Sequence, residues 1–175
     1  MSQISLVGAG PGPLELLTLR ALHRLEAAEV VVYDRLVGSE ILARIPHGAA
    51  RFDVGKRCGE PSPTQEEINA LLLALARTGK RVVRLKGGDP LVFGRGGEEA
   101  LHLARHGIEA ELVPGITAAL GCAASTLIPL THRGLARSLT LVTGHLMDEG
   151  DYRGWQGLTR AGHTLVFYMG LERAA

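Results

Sequence analysis

Residues 80–107 read "KRVVRLKGGDPLVFGRGGEEALHLARHG", and three successive textures in that stretch decide the fold. "KRVVRLK" (80–86) is a short, largely apolar run of strand length. "EEALHLARHG" (98–107) has helical character and closes on Gly107, where a C-terminal cap belongs. Between them lies a turn so rich in glycine that residues 85–99 hold five glycines and five charged residues in fifteen positions. Strand, glycine turn and helix in that order form the repeating half of a parallel α/β sheet. A backbone stripped of side chains directly after a buried strand implies that something approaches it closely.

The same order recurs on either side. "QISLVGAG" (3–10) reads as a buried strand, "LELLTLRALHRLEAA" (14–28) as a helix, and "EVVVYD" (29–34) as a second strand. "SEILARI" (39–45) is a short helix and "ARFDVG" (50–55) a third strand. Thr64 and Glu67 then form a capping-box pattern at the head of "TQEEINALLLALARTG", with Gly79 at its close. "EAELV" (109–113) is a fifth strand and "PGITAALGCAAS" (114–125) a helix of small residues. The expected class is α/β, a mostly parallel sheet with helices on both faces and ligands at the carboxyl ends of the strands. "SLTLVTGH" (138–145) and "HTLVFYMG" (163–170) are strands of different surroundings, separated by a polar loop containing "MDEGDYRGW". The final "LERAA" has the look of an opening helical turn. Residues 1–117 are therefore expected to form one α/β domain and 118–175 the beginning of a second, incomplete one.

Composition narrows the class. The formal charge of +1 over 175 residues gives no nucleic-acid or membrane surface. No apolar run reaches spanning length and no signal peptide precedes the first strand, so a cytoplasmic setting is expected. Cys58 and Cys122 stand apart without metal or disulfide spacing. Of 19 basic side chains only 3 are lysine; biased codon usage accounts for such a skew, and so does a carboxylate-rich ligand, which guanidinium groups pair with bidentately.

The glycine motifs limit what the strand ends can hold. "GAGPGP" (8–13) imitates a dinucleotide fingerprint, with Asp34 near the place of a ribose-binding acid. Pro13 occupies the position of the third glycine, and Pro11 and Pro13 remove two amide donors from the turn. Asp89 in "GGDP" (87–90) repels phosphate but accepts bonds from hydroxyls or an amine. "PGITAA" (114–119) leaves room for a flat ring. A nucleoside with a cationic centre and no phosphate satisfies all three, as S-adenosylmethionine does.

Taken in order, "VGAGPG", "YDRLV", "GKR", "QEEIN", "LKGGDPLVFGRGGEE", "VPGITAA", "PLTHRG" and "VTGH" resemble the tetrapyrrole methylase family across essentially the whole chain. The longest motif is most similar to members that methylate uroporphyrinogen III at C2 and C7, giving precorrin-2. The resemblance implies two α/β domains with S-adenosylmethionine in the cleft between them, a homodimer, and no metal. It places the cofactor against Pro11, Gly87, Gly88, Asp89, Val92, Thr117, Ala118 and Met169. It makes Asp34 and Lys56 the acid–base pair, and sets Arg95 and Glu98 against the tetrapyrrole, with Arg57, His132 and Arg133 as further candidates. An electron-rich pyrrole carbon that takes a methyl group becomes cationic and must then lose a proton, which is work for a placed carboxylate and amine. Eight substrate carboxylates call for arginines.

Three departures from the family pattern stand out. Pro13 replaces the usual Asp of the first turn, Glu60 and Pro61 replace more polar residues, and "LVG" replaces "LVS". Family members also run on beyond the length of this chain. Two other readings follow: a methylase of a later precorrin, or a fragment that only binds cofactor or dimerises.

Overall fold

A computed structural model describes residues 3–55, 62–144 and 158–170. Lys56 and Arg57 of "GKR", the departures at Glu60 and Pro61, the "MDEGDYRGW" loop and the terminal "LERAA" lie outside the described residues. The chain divides into two compact units, Met1–Ala118 and Ala119–Ala175.

The first unit is built on five strands: β1 (Ile4–Gly8), β2 (Val30–Tyr33), β3 (Ala50–Asp53), β4 (Val82–Lys86) and β5 (Glu111–Val113). Their order is β3-β2-β4-β1-β5, and every pairing is parallel. The chain leaves β1 in one direction across the sheet, and leaves β4 in the other. The crevice outside the carboxyl ends of β1 and β4 is therefore the topological switch point, where sheets of this kind hold ligands.

Side-chain alternation along the strands feeds two cores. Val31, Val83 and Leu85 pack with Ala21 and Leu25 of α1 (Leu19–Glu26) and Ile41 of α2 (Ser39–Leu42). Val30, Val32 and Val82 pack with Ile68 and Leu72 of α3 (Gln65–Ala76) and Leu103 of α4 (Gly96–Arg105). Helices thus cover both faces, as a buried parallel sheet requires.

The helix expected over residues 14–28 is interrupted. Leu14–Leu16 form a 3₁₀ turn, and Leu17 and Thr18 are extended. The Thr18 hydroxyl then accepts the amide of Ala21, so α1 starts only at Leu19. Leu14 and Leu17 still reach the core, which is why the apolar pattern runs unbroken through two elements. At α3 the reciprocal capping box forms as expected: Glu67 donates its amide to Thr64 Oγ1 at 3.2 Å, and its carboxylate accepts the Thr64 amide at 2.7 Å.

In the second unit, β6 (Ser138–Thr143) pairs in parallel with β7 (His163–Tyr168). α5 (Ala118–Thr126), which crosses the boundary at its first residue, is tied within this unit by the Ala119 amide donating to the Tyr168 hydroxyl at 3.0 Å.

Candidate cofactor and catalytic site

Three turns meet at the carboxyl ends of β1, β4 and β5. The Ala9 amide donates to Lys86 O at 2.7 Å. Gly10 and Gly88 exchange two bonds, at 3.1 Å from the Gly10 amide and 2.8 Å from the Gly88 amide. A Cβ on Gly115 would collide with the Gly88 carbonyl oxygen and lie 2.8 Å from Gly8 Cα. A Cβ on Gly87 would lie 2.5 Å from Leu36 Cβ, in the turn after β2. Much of the glycine in "LKGGDP" thus serves the approach of other parts of the chain.

Gly88 differs. Its φ of +66° is one that side-chain-bearing residues rarely adopt, yet a Cβ there would find its nearest neighbours, Ala118 N and Thr117 Cα, only at 3.9 Å. A side chain at Gly88 would meet only ordinary van der Waals contact, against two of the residues expected to touch the cofactor.

Asp89 braces this arrangement. Its Oδ1 accepts the Leu91 amide at 2.8 Å and its Oδ2 the Gly115 amide at 3.0 Å, joining the second turn to the third. Each oxygen keeps a further lone pair for a ligand. Val92 continues the turn, its amide donating to Asp89 O. Pro11 lies half-buried in the first turn.

Asp34 follows β2 on the same edge. Its Oδ1 accepts the amides of Leu36 at 3.1 Å and Gly87 at 3.4 Å, so the carboxylate is hung directly on the glycine turn. Its Oδ2 faces Arg84 Nη2 at 3.7 Å, longer than a hydrogen bond.

Arg95 and Glu98 face each other across the first turn of α4, with bonds of 2.8 and 2.6 Å between guanidinium and carboxylate. That pairing raises the Arg95 pKa and lowers that of Glu98. Both side chains are more than half exposed, so the pair itself contributes little to stability. Arg95 also holds a left-handed backbone, φ +58°, two residues after Phe93 at +52°. Such strain in non-glycine residues gathers at functional sites.

Met169, in the second unit, follows β7 with φ +54° and is 58% exposed as a residue. His132 and Arg133 are exposed in the same unit, where His132 Nδ1 lies 2.8 Å from Arg133 O in a local turn. Among the described residues, no three His, Cys, Asp or Glu side chains gather as a metal site.

One cluster was not anticipated from the sequence. Arg84 and Lys86 of β4, and Glu99 of α4, are buried together beneath the turns. Glu99 Oε1 accepts from Arg84 Nε at 3.2 Å and from Lys86 Nζ at 3.0 Å. Burial first, and the Arg84 charge second, pull the Lys86 pKa below its ordinary value, against the opposing pull of Glu99 and Asp34. The signal was present: charges at alternate positions of a central parallel strand are out of place in an otherwise apolar run.

The family of tetrapyrrole (corrin/porphyrin) methylases matches residues 3–175. The chain belongs to that family. It is 56% identical over 173 residues to a siroheme synthase of Edwardsiella ictaluri, covering 99% of this chain and 37% of that relative. It therefore spans little more than a third of the length of that curated protein. The crystal structure of uroporphyrin-III-C-methyltransferase from Thermus thermophilus superposes with a TM-score of 0.79 at 52% identity, over 97% of this chain and 68% of that one. The Thermus thermophilus enzyme complexed with S-adenyl homocysteine gives 0.80 at 50% identity, over 97% and 71%. The fold is that of the tetrapyrrole methylases.

No helix of the described residues is long and apolar enough to cross a membrane.

Proposed function

We propose that the chain carries an S-adenosylmethionine-dependent C-methyltransferase activity that converts uroporphyrinogen III to precorrin-2 by methylation at C2 and C7. The observation that carries the reading is the hydrogen bond between Gly87 N–H and Asp34 Oδ1, which fixes a carboxylate to the glycine turn at the switch point of the sheet. Bound beside Gly88, the cofactor supplies an activated methyl group on a sulfonium.

The chain's own residues do the rest. Gly88, Thr117 and Ala118 present small residues to a flat nucleoside, and Asp89 offers its remaining lone pairs to hydroxyls. Met169 is assigned to the cofactor on the same reading, as are Pro11, Gly87 and Val92. Asp34 stabilises the cationic macrocycle and accepts its proton through Oδ2, the oxygen that holds no backbone bond. Lys56 is assigned to relay that proton or to hold a substrate carboxylate. Arg95 meets a substrate carboxylate in place of its exposed partner Glu98, an exchange that costs little because the pair is solvated. Dimerisation belongs to the same reading and is checked by light scattering.

The test is incubation with S-adenosylmethionine and uroporphyrinogen III under reducing conditions, followed by mass analysis. Gain of two methyl groups supports the reading. Methylation of a later precorrin with uroporphyrinogen III untouched transfers the chain to a different substrate, and cofactor binding without any methyl transfer leaves it a binding fragment.

A further inference from the structure

The buried cluster beneath the glycine turns has a cost that the fold does not require. The side chains of Arg84 and Lys86 are 4% and 5% exposed and that of Glu99 is 0% exposed. Both cations share one oxygen of Glu99, joined by Gln65 Nε2 at 3.4 Å, while Oε2 has no hydrogen-bond partner. Well-packed apolar side chains commonly replace such a buried ion cluster without loss of stability. Stability therefore gives no reason for it, and its geometry does. The Arg84 guanidinium is held at two nitrogens: Nε by Glu99, and Nη1 by the carbonyls of Leu85 at 3.2 Å and Val32 at 3.5 Å, which leaves Nη2 turned toward Asp34 Oδ2 at 3.7 Å. The group is planar and rigid, so fixing two of its nitrogens fixes the third.

We propose that Glu99, clamped by Lys86, is a positioning residue for the methyl transfer: it holds Arg84 just short of Asp34. The guanidinium of Arg84 then faces the Asp34 carboxylate without bonding it, and Oδ2 stays free of a direct bond and able to take a proton. Without Glu99, the carboxylate that remains beside the guanidinium is that of Asp34. Arg84 closes on it in a charge-assisted bond, and a carboxylate engaged in that way is a poorer base. The proposal rests on the reading of Asp34 as proton acceptor.

The test compares three variants of the protein. Glu99→Asp keeps the charge but withdraws the acceptor by one methylene. Glu99→Met/Lys86→Met removes one anion and one cation together, so the charge balance of the interior is preserved. For each, kcat, the S-adenosylmethionine dissociation constant and the melting temperature are measured. Glu99→Asp is expected to lose on the order of ten- to a hundredfold in kcat, with cofactor affinity within about twofold of the parent. The double variant is expected to lose at least as much kcat while melting no lower than the parent. Parental kcat in Glu99→Asp, or in a folded double variant, overturns the proposal; should the double variant not fold, Glu99→Asp decides alone. Asp34→Asn is the control. If it is crippled while Glu99→Asp is not, only the positioning role falls. If Asp34→Asn turns over normally, the reading of Asp34 falls and this proposal with it.

Discussion

Gly10 and Gly88 exchange two backbone hydrogen bonds across 78 positions of sequence, and that exchange locks the turn after β1 to the turn after β4. Gly115 closes the group from the third side, in contact with both Gly8 and the Gly88 carbonyl. The amide donors of Gly10 and Gly88 are thereby spent on each other. A phosphate would need such donors free, whereas a ligand recognised by shape and by carbonyl or carboxylate acceptors does not.

Gly115→Ala is expected to destabilise the protein by about 3 kcal/mol, because the new Cβ meets backbone on two sides and neither side can yield cheaply. Urea unfolding of the variant beside the parent measures it. A change under about 0.5 kcal/mol, the range of a neutral surface substitution, would show that the three turns are not in contact as described.

Asp34→Ala and Lys56→Ala should depress kcat by roughly a hundredfold or more, the range of a lost general acid or base, while leaving cofactor affinity near its parental value. Steady-state kinetics paired with a direct binding measurement separate the two. Unchanged turnover in either variant removes that residue from the acid–base pair.

Acid should weaken the contact between α1 and β5. Arg24 and Ser5 both hydrogen-bond the Glu111 carboxylate, and those bonds hold its pKa below the ordinary carboxylate value. A carboxylate depressed in the folded state contributes stability that is fully present above its unfolded pKa of about 4.3 and is lost as pH falls through the lower folded value. Arg24→Met should therefore lower stability at pH 7 and shrink the difference between pH 7 and pH 3. A pH dependence of unfolding identical to the parent's would contradict this.

Local signals were legible in the sequence, and contacts across the sheet were not. The capping box of Thr64 and Glu67 spans three residues, so sequence alone located the start of α3. The strands β1 and β4 declared themselves as largely apolar runs leading into glycine turns. The break at Leu17 and Thr18 was hidden because leucines on both sides of it reach one core. The glycines of "LKGGDP" were correctly read as a close approach, but most of what approaches is Leu36 and Gly115, which no spacing rule connects to residue 87 or 88. The Arg84–Glu99–Lys86 cluster escaped for a similar reason. It joins a strand to a helix 13 to 15 residues away, and Glu99 stands beside the exposed Glu98 in a sequence that does not tell the two burials apart.

The most direct measurement is a calorimetric titration of the parent and of Gly88→Val with S-adenosylmethionine, with melting curves recorded for both. The parent is expected to bind saturably at one site per chain. Gly88→Val is expected to lose that binding while keeping a cooperative melt, since its Cβ meets only ordinary van der Waals contact with Thr117 and Ala118, at a left-handed strain of about 1–2 kcal/mol. A folded Gly88→Val that binds with the parental dissociation constant, or a parent that does not bind at all, would contradict the placement of the cofactor on this turn.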